Sequence, residues 1–183
     1  MSYTKPQTKP HGYTDEQWQV RVDLAAAHRC AVMHGLHEGI FNHFTMRVPG
    51  EENRYYQIPF GTHWSEVTAS CFMEVDYEGE IQRGEGIVER SAYCIHAPMH
   101  RLKPGAAAVF HTHMPFASAL TRLEDQHIKP IGQTELGTMM KTGYDEDYDG
   151  PGLDPAEGVR LAEACGDNTV MLMANHGAIT IGE

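Results

Sequence analysis

The stretch Ala107-Ala108-Val109-Phe110-His111-Thr112-His113-Met114-Pro115 constrains this chain more than any other. It is an apolar run of small, β-branched and aromatic residues, bounded by Pro104-Gly105 before it and Pro115 after it. That pattern reads as a buried strand that leaves its sheet at two histidines. Residues two apart on a strand point to one face, so His111 and His113 present two imidazoles from one edge, about 6.5 Å apart at Cα. Such a pair is ordinary polar surface at many strand ends. It is also a workable bite for a metal, since imidazole is the commonest metal ligand and a catalytic zinc or iron site needs about three protein ligands and an open position.

A third ligand has to come from elsewhere in the chain. The run Thr169-Val170-Met171-Leu172-Met173-Ala174 is a second apolar strand that stops at Asn175-His176-Gly177. His176 therefore sits just past a strand, as the first pair does, with a glycine behind it that allows a tight turn or a close backbone approach.

The chain has 183 residues and a formal net charge of -11, which suits one domain with a substantial core. No basic footprint for nucleic acid is present, and no stretch approaches the ~20 apolar residues of a membrane span. Cys30, Cys71, Cys94 and Cys165 lack C-x-x-C spacing. They read as reduced thiols of a cytoplasmic protein. Residues 1-13 are polar and proline-containing, read as a disordered arm preceding a single domain over 14-183.

Thr14 with Gln17 three residues later forms a capping-box signature, and helical spacing from Trp18 to Met33 predicts one long helix ending at Gly35. Residues 39-49 predict a strand with Phe44, Met46 and Val48 on one face, paired as a hairpin with a strand over 55-59. A short helix is expected over 68-73, and a second hairpin turns at Gly79. Residues 91-102 read as a helix in which Pro98 predicts a kink or a late start. A helix over 116-123, an extended segment over 128-131 and a long loop over 132-152 follow. The acidic cluster of 144-149 reads as solvated loop, because the spacing of a calcium loop is missing. Asp154-Pro155 opens a helix that runs to about Cys165 and ends at Gly166.

With these pieces in order, the chain resembles the class II aldolase/adducin family, most of all its adducin-like bacterial branch. The resemblance runs from about Leu24 to Glu183. It rests on Gly39 to Gly50 with Asn42-His43-Phe44-Thr45-Met46-Arg47-Val48-Pro49, on Ile58-Pro59-Phe60-Gly61, on His111-Thr112-His113, and on Ala174-Asn175-His176-Gly177-Ala178. It implies a three-layer α/β/α sandwich around a largely antiparallel sheet, assembled as a homotetramer with active sites at subunit interfaces. It also implies a divalent metal, zinc before iron(II) or manganese, on His111, His113 and His176.

The implied activity is a metal-dependent lyase, by aldol cleavage or decarboxylation, acting on a small anionic substrate such as a hydroxy acid, oxo acid or sugar acid. Sugar-phosphate aldolases of the family move their proton with a glutamate whose position here falls on Ala92, leaving Glu89 and His96 as the candidate acid/base groups. Asn42, Gly61, Arg90 and Ser91 are the candidate substrate-binding residues, Arg90 as a fork for an anion. Phe60 stands where those aldolases have a small hydroxyl residue, which implies a pocket not built for phosphate. The family continues through another helical segment, whereas this chain ends seven residues after His176. Two other readings stay open: a non-haem iron oxygenase, as some members of this fold are, and an adducin-like interaction domain without catalysis.

Overall fold

The computed structural model describes residues 8-148, 150 and 152-183. The capping box forms: the Thr14 hydroxyl accepts the Gln17 amide and the Gln17 side chain accepts the Thr14 amide, each at 3.1 Å. Helix α1 (Asp15–Met33) starts there and buries Leu24, Ala25, His28 and Ala31. Of the N-terminal segment, residues 1-7 lie outside the described residues. The Gly12 carbonyl accepts from Arg83 at 2.8 Å, and the Arg83 guanidinium sits 3.5 Å above the Tyr13 ring centroid.

Eight strands form one sheet: β1 (His43–Arg47), β2 (Arg54–Gln57), β3 (Met73–Asp76), β4 (Ile81–Arg83), β5 (Ala108–Thr112), β6 (Thr142–Asp145), β7 (Val170–Met173) and β8 (Gly177–Gly182). Their order is β4-β3-β2-β1-β5-β8-β7-β6, and every neighbouring pair is antiparallel except β6 with β7. Both expected hairpins are present, with Met46 opposite Tyr56 and Tyr55 opposite Val75 tying them into one surface. Helix α1 packs on one face through Leu24, Phe44, Val48, Tyr56, Trp64 and Phe72. On the other face lie α2 (Arg90–Leu102) and α5 (Pro155–Cys165), packed through Ile95, Met99, Val109, Leu161 and Met171. The result is a three-layer α/β/α sandwich around a mostly antiparallel sheet. Phe44, Met46 and Val48 share the α1 face, as their alternation predicts.

Two expectations along the chain need correction. Residues 68-73 are not a helix: a 3-10 turn spans Trp64–Glu66 and Met73 already belongs to β3. The carbonyls that a helical ladder would use are claimed by α1, since Arg21 donates to Ala69 and Phe72 at 2.7 and 2.9 Å, and Arg29 donates to Val67 at 2.9 Å. Beyond α3 (Pro115–Leu120), the helix expected over 116-123, residues 132-152 are not one loop either, but contain α4 (Gln133–Met139) and the edge strand β6. Within the acidic cluster, Tyr144 and Asp145 are strand residues, and buried Asp145 is paired with Arg160 rather than solvated. Asp149 lies outside the described residues.

Pro98 does not delay α2, which begins at Arg90 and continues through the proline. A proline has no amide for the carbonyl four residues back, here Cys94. Gly158 of α5 backs onto that carbonyl so closely that a Cβ would lie 2.0 Å from it. The two helices meet where one lacks a side chain and the other a hydrogen bond. Arg47 binds the far end of α2 through the His100 and Lys103 carbonyls.

Candidate metal centre

β5 runs through the middle of the sheet between β1 and β8, so its end gathers residues from several parts of the chain. His111 stands opposite His43 of β1 and Ile179 of β8. β7 and β8 close on Met173 and Gly177, leaving Ala174, Asn175 and His176 as the turn. That turn is pinned on both sides: the Ala174 amide donates to Asp145 at 2.9 Å and the Asn175 amide to Thr121 at 2.8 Å. Asn175 takes the positive φ of 55°. Gly177 supplies close approach instead, since a Cβ there would lie 2.5 Å from the Thr112 carbonyl. The turn can then rest against the end of β5 and point His176 at the His-x-His pair.

His111, His113 and His176 are brought together, with ligand atoms all within 4.8 Å of one another. Their ring centroids form a nearly equilateral triangle of 4.8, 4.7 and 4.9 Å. A carbonyl can only accept, so His111, 3.1 Å from Ala178 oxygen, carries its proton on Nδ1. The Glu38 carboxylate, 2.5 Å from His113 Nδ1, fixes the same tautomer there. Both Nε2 atoms therefore present lone pairs, and they face each other at 3.0 Å. Two lone pairs at that distance repel unless a cation is shared between them. A backbone carbonyl and a carboxylate on the outer nitrogens are also the usual partners of metal-bound imidazoles.

Burial holds His111 well below the usual histidine range, with the neighbouring His176 and His113 adding to the effect. Burial and then His113 bring His176 down to about 4. Both are neutral near pH 7, the form in which an imidazole can bind a metal. The donor set fits a divalent metal.

The other candidate residues separate into two groups. Asn42, Gly61 and Glu89 line one small pocket together with His43, Gln57 and Phe60. Glu89 caps α2, its Oε2 accepting the Ala92 amide at 2.5 Å and the Ser91 hydroxyl at 2.8 Å, with His43 Nε2 3.1 Å from the same oxygen. Burial pushes the Glu89 carboxyl up, but His43, the Ala92 amide and the Ser91 hydroxyl together outweigh it and hold it at about 2. Arg90 turns away, its Nε donating to the Leu153 carbonyl at 3.1 Å. His96 is fully buried beneath the sheet, its Nδ1 2.7 Å from the Thr45 hydroxyl, and it meets His43 edge-on at 5.7 Å.

Sequence reasoning missed Glu38 and His43. Glu38 lies in a loop 75 positions from His113 and carries no local signature. His43 had one: it alternates with Phe44 and so shares the face of Thr45, opposite the apolar residues of β1.

The family model described as the class II aldolase and adducin N-terminal domain matches residues 22–183. A Caulobacter vibrioides protein named for the class 2 aldolases is 31% identical over 92% of this chain and 65% of its own length. The fission yeast adducin-related protein C1289.14 (Schizosaccharomyces pombe) is 31% identical over 94% of this chain and 55% of its own. The chain thus spans less than two thirds of these relatives. The crystal structure of an aldolase II superfamily protein from Pseudomonas syringae superposes with a TM-score of 0.86 at 34% identity, covering 92% of this chain and 68% of that one. The chain belongs to the class II aldolase/adducin family.

Proposed function

We propose that this chain is the metal-binding domain of a carbon–carbon lyase that performs aldol cleavage or decarboxylation on a small hydroxy acid, oxo acid or sugar acid. One observation carries the reading: the three imidazoles converge with the outer nitrogens of His111 and His113 already engaged, leaving bare Nε2 atoms toward a common point. His111, His113 and His176 would hold a divalent metal, zinc first and iron(II) or manganese next, which would supply Lewis acidity toward a substrate carbonyl. His43 and Glu89 are placed to hold and move the proton, His43 Nε2 and Glu89 Oε2 being 3.1 Å apart on the pocket side of His111. His96 has no path to the pocket and supports the His43 ring from below. Asn42 and Gly61 line the space beside the pair, where they orient substrate.

An all-imidazole set favours this reading over an iron oxygenase, whose usual triad includes a carboxylate; Glu38 bonds the outer nitrogen of His113 instead. Free cysteines throughout support a cytoplasmic setting, and among the described residues no helix is long and apolar enough to cross a membrane. We place the chain in a homo-oligomer, as the resemblance implies. The test is elemental mass spectrometry together with turnover on a panel of hydroxy, oxo and sugar acids. About one metal per chain with cleavage or carbon dioxide release is expected. Bound metal without turnover on any acid would overturn the lyase and favour the adducin-like interaction domain, whose sequence is as similar as the aldolase-named relative.

A further inference from the structure

The pocket beside Glu89 contains more hydrogen-bonding capacity than the protein itself satisfies. Asn42 and Gln57 are 1% and 2% exposed. Asn42 uses its carbonyl to accept the Glu38 amide at 2.8 Å, yet its Nδ2 has no partner among the described residues. Gln57 leaves both Nε2 and Oε1 without one. Buried amides are normally paired, and both of these line the same pocket. Glu89, held ionised, adds an acceptor. The site thus offers two donors and two acceptors in a space of about 10 Å³, room for one oxygen-bearing group.

Charge decides which group that is. Among the described residues no lysine or arginine lines the pocket. Arg90 is committed to Leu153 and Ser91 to Glu89, so neither is turned inward to receive an anion. A phosphate is acceptor-only and charged, and would meet the Glu89 carboxylate. A hydroxyl both donates and accepts, so it can give its proton to Glu89 or Gln57 Oε1 and take one from Asn42 or Gln57 Nε2.

We propose that this pocket receives the uncharged, hydroxyl-bearing end of a polyhydroxy acid whose acid end lies toward the histidine triad, and that it excludes a phosphate ester at that end. The inference rests on the lyase reading for the direction of the substrate, and it names the substrate class: a non-phosphorylated sugar acid.

Calorimetric titration of the zinc-loaded protein with D-gluconate and with 6-phosphogluconate tests it. Gluconate is expected to bind about ten-fold more tightly or better, a single good hydrogen bond set against a repelled anion being enough for that margin. Gln57→Leu should keep the melting midpoint, because it removes unpaired buried polar atoms, yet lose about ten-fold in gluconate affinity. Glu89→Gln keeps a capping acceptor and should narrow the gap between the two ligands. Equal or tighter binding of 6-phosphogluconate, no binding of either, or an unchanged Gln57→Leu affinity would overturn the inference. The two readings fail separately: metal-dependent turnover with a preference for phosphorylated acids sinks the pocket alone. Gluconate binding that Gln57→Leu weakens, in a protein that turns nothing over, sinks the lyase alone.

Discussion

Two groups of histidines lie on the same face of the sheet and are set in different hydrogen-bonding arrangements. At the end of β5, His111 and His113 spend their outer nitrogens on Ala178 and Glu38 and leave Nε2 bare, His111 buried and His113 and His176 partly exposed. Deeper, under α2, His100 gives Nδ1–H to the Ala106 carbonyl at 2.7 Å, so its Nε2 must accept the Thr45 hydroxyl at 2.8 Å. Thr45, its proton spent, then accepts from His96 Nδ1 at 2.7 Å. One carbonyl thereby sets the proton positions along the whole buried column. Residue type is the same in both groups. In the proposed metal site, what distinguishes the triad is an outer partner that fixes the tautomer together with inner nitrogens that converge.

The comparison breaks most sharply on metal content. His176→Ala is expected to take bound metal from about one per chain to a small fraction of that, since two imidazoles hold a divalent ion far less firmly than three. His100→Gln should leave metal content unchanged. If both variants lose metal equally, the distinction between the groups is wrong.

The column should instead govern stability. His100→Ala removes a buried ring stacked 5.4 Å from Tyr55 and strands the Ala106 carbonyl and Thr45. A cost of about 3–4 kcal/mol is expected from the cavity and the unpaired groups. Urea unfolding of the metal-loaded protein measures it, with an unchanged m-value showing that the native state is the same.

The main features of the fold were open to reading because each rested on a local rule. The capping box at Thr14, the Asp154-Pro155 helix start and the alternation of Phe44, Met46 and Val48 need no distant partner to be recognised. The triad was legible for the same reason: each histidine ends an apolar strand. The misread segments depended on contacts from afar. Residues 68-72 hold a helix-like composition, but Arg21 of α1 takes the Ala69 and Phe72 carbonyls and Arg29 takes that of Val67 just before them. β6 is a four-residue edge strand paired, among the described residues, only with β7, so it needed no alternating pattern. His43 and Glu89 meet across 46 positions, which neither neighbourhood announces.

A third histidine environment sharpens the rule about access. His28 is enclosed by Phe44, Trp64 and Phe72, with ring centroids 5.2, 5.0 and 5.8 Å away. Burial brings it down to about 4, partly offset by its hydrogen bond to the Leu24 carbonyl. Above pH 6.5 neither folded nor unfolded chain protonates this ring, and the neutral core is fully stable with respect to it. Between pH 6.5 and about 4 the unfolded chain takes up the proton and the folded one does not, so stability falls with pH. Over that window the loss is about 3 kcal/mol. His28→Phe should flatten the acid side of the stability curve by that amount. An identical curve would mean the ring is already charged or solvated in the folded protein.

The smallest effect probes the outer partner itself. Glu38 bonds the outer nitrogen of His113 from an exposed loop, its side chain 63% accessible. Its carboxylate holds the His113 ring in one tautomer and sets a negative charge beside it. Glu38→Gln keeps an acceptor near Nδ1 but removes the charge. If the outer partner works through charge, zinc affinity falls about ten-fold, or ~1.4 kcal/mol, in competition with a chelator. If it works only by fixing the tautomer, Glu38→Gln should bind zinc as the parent does and Glu38→Ala should lose affinity alone. An unchanged affinity in both would show that convergence of the three rings suffices, and the histidines under α2 would then differ from the triad only in where they point.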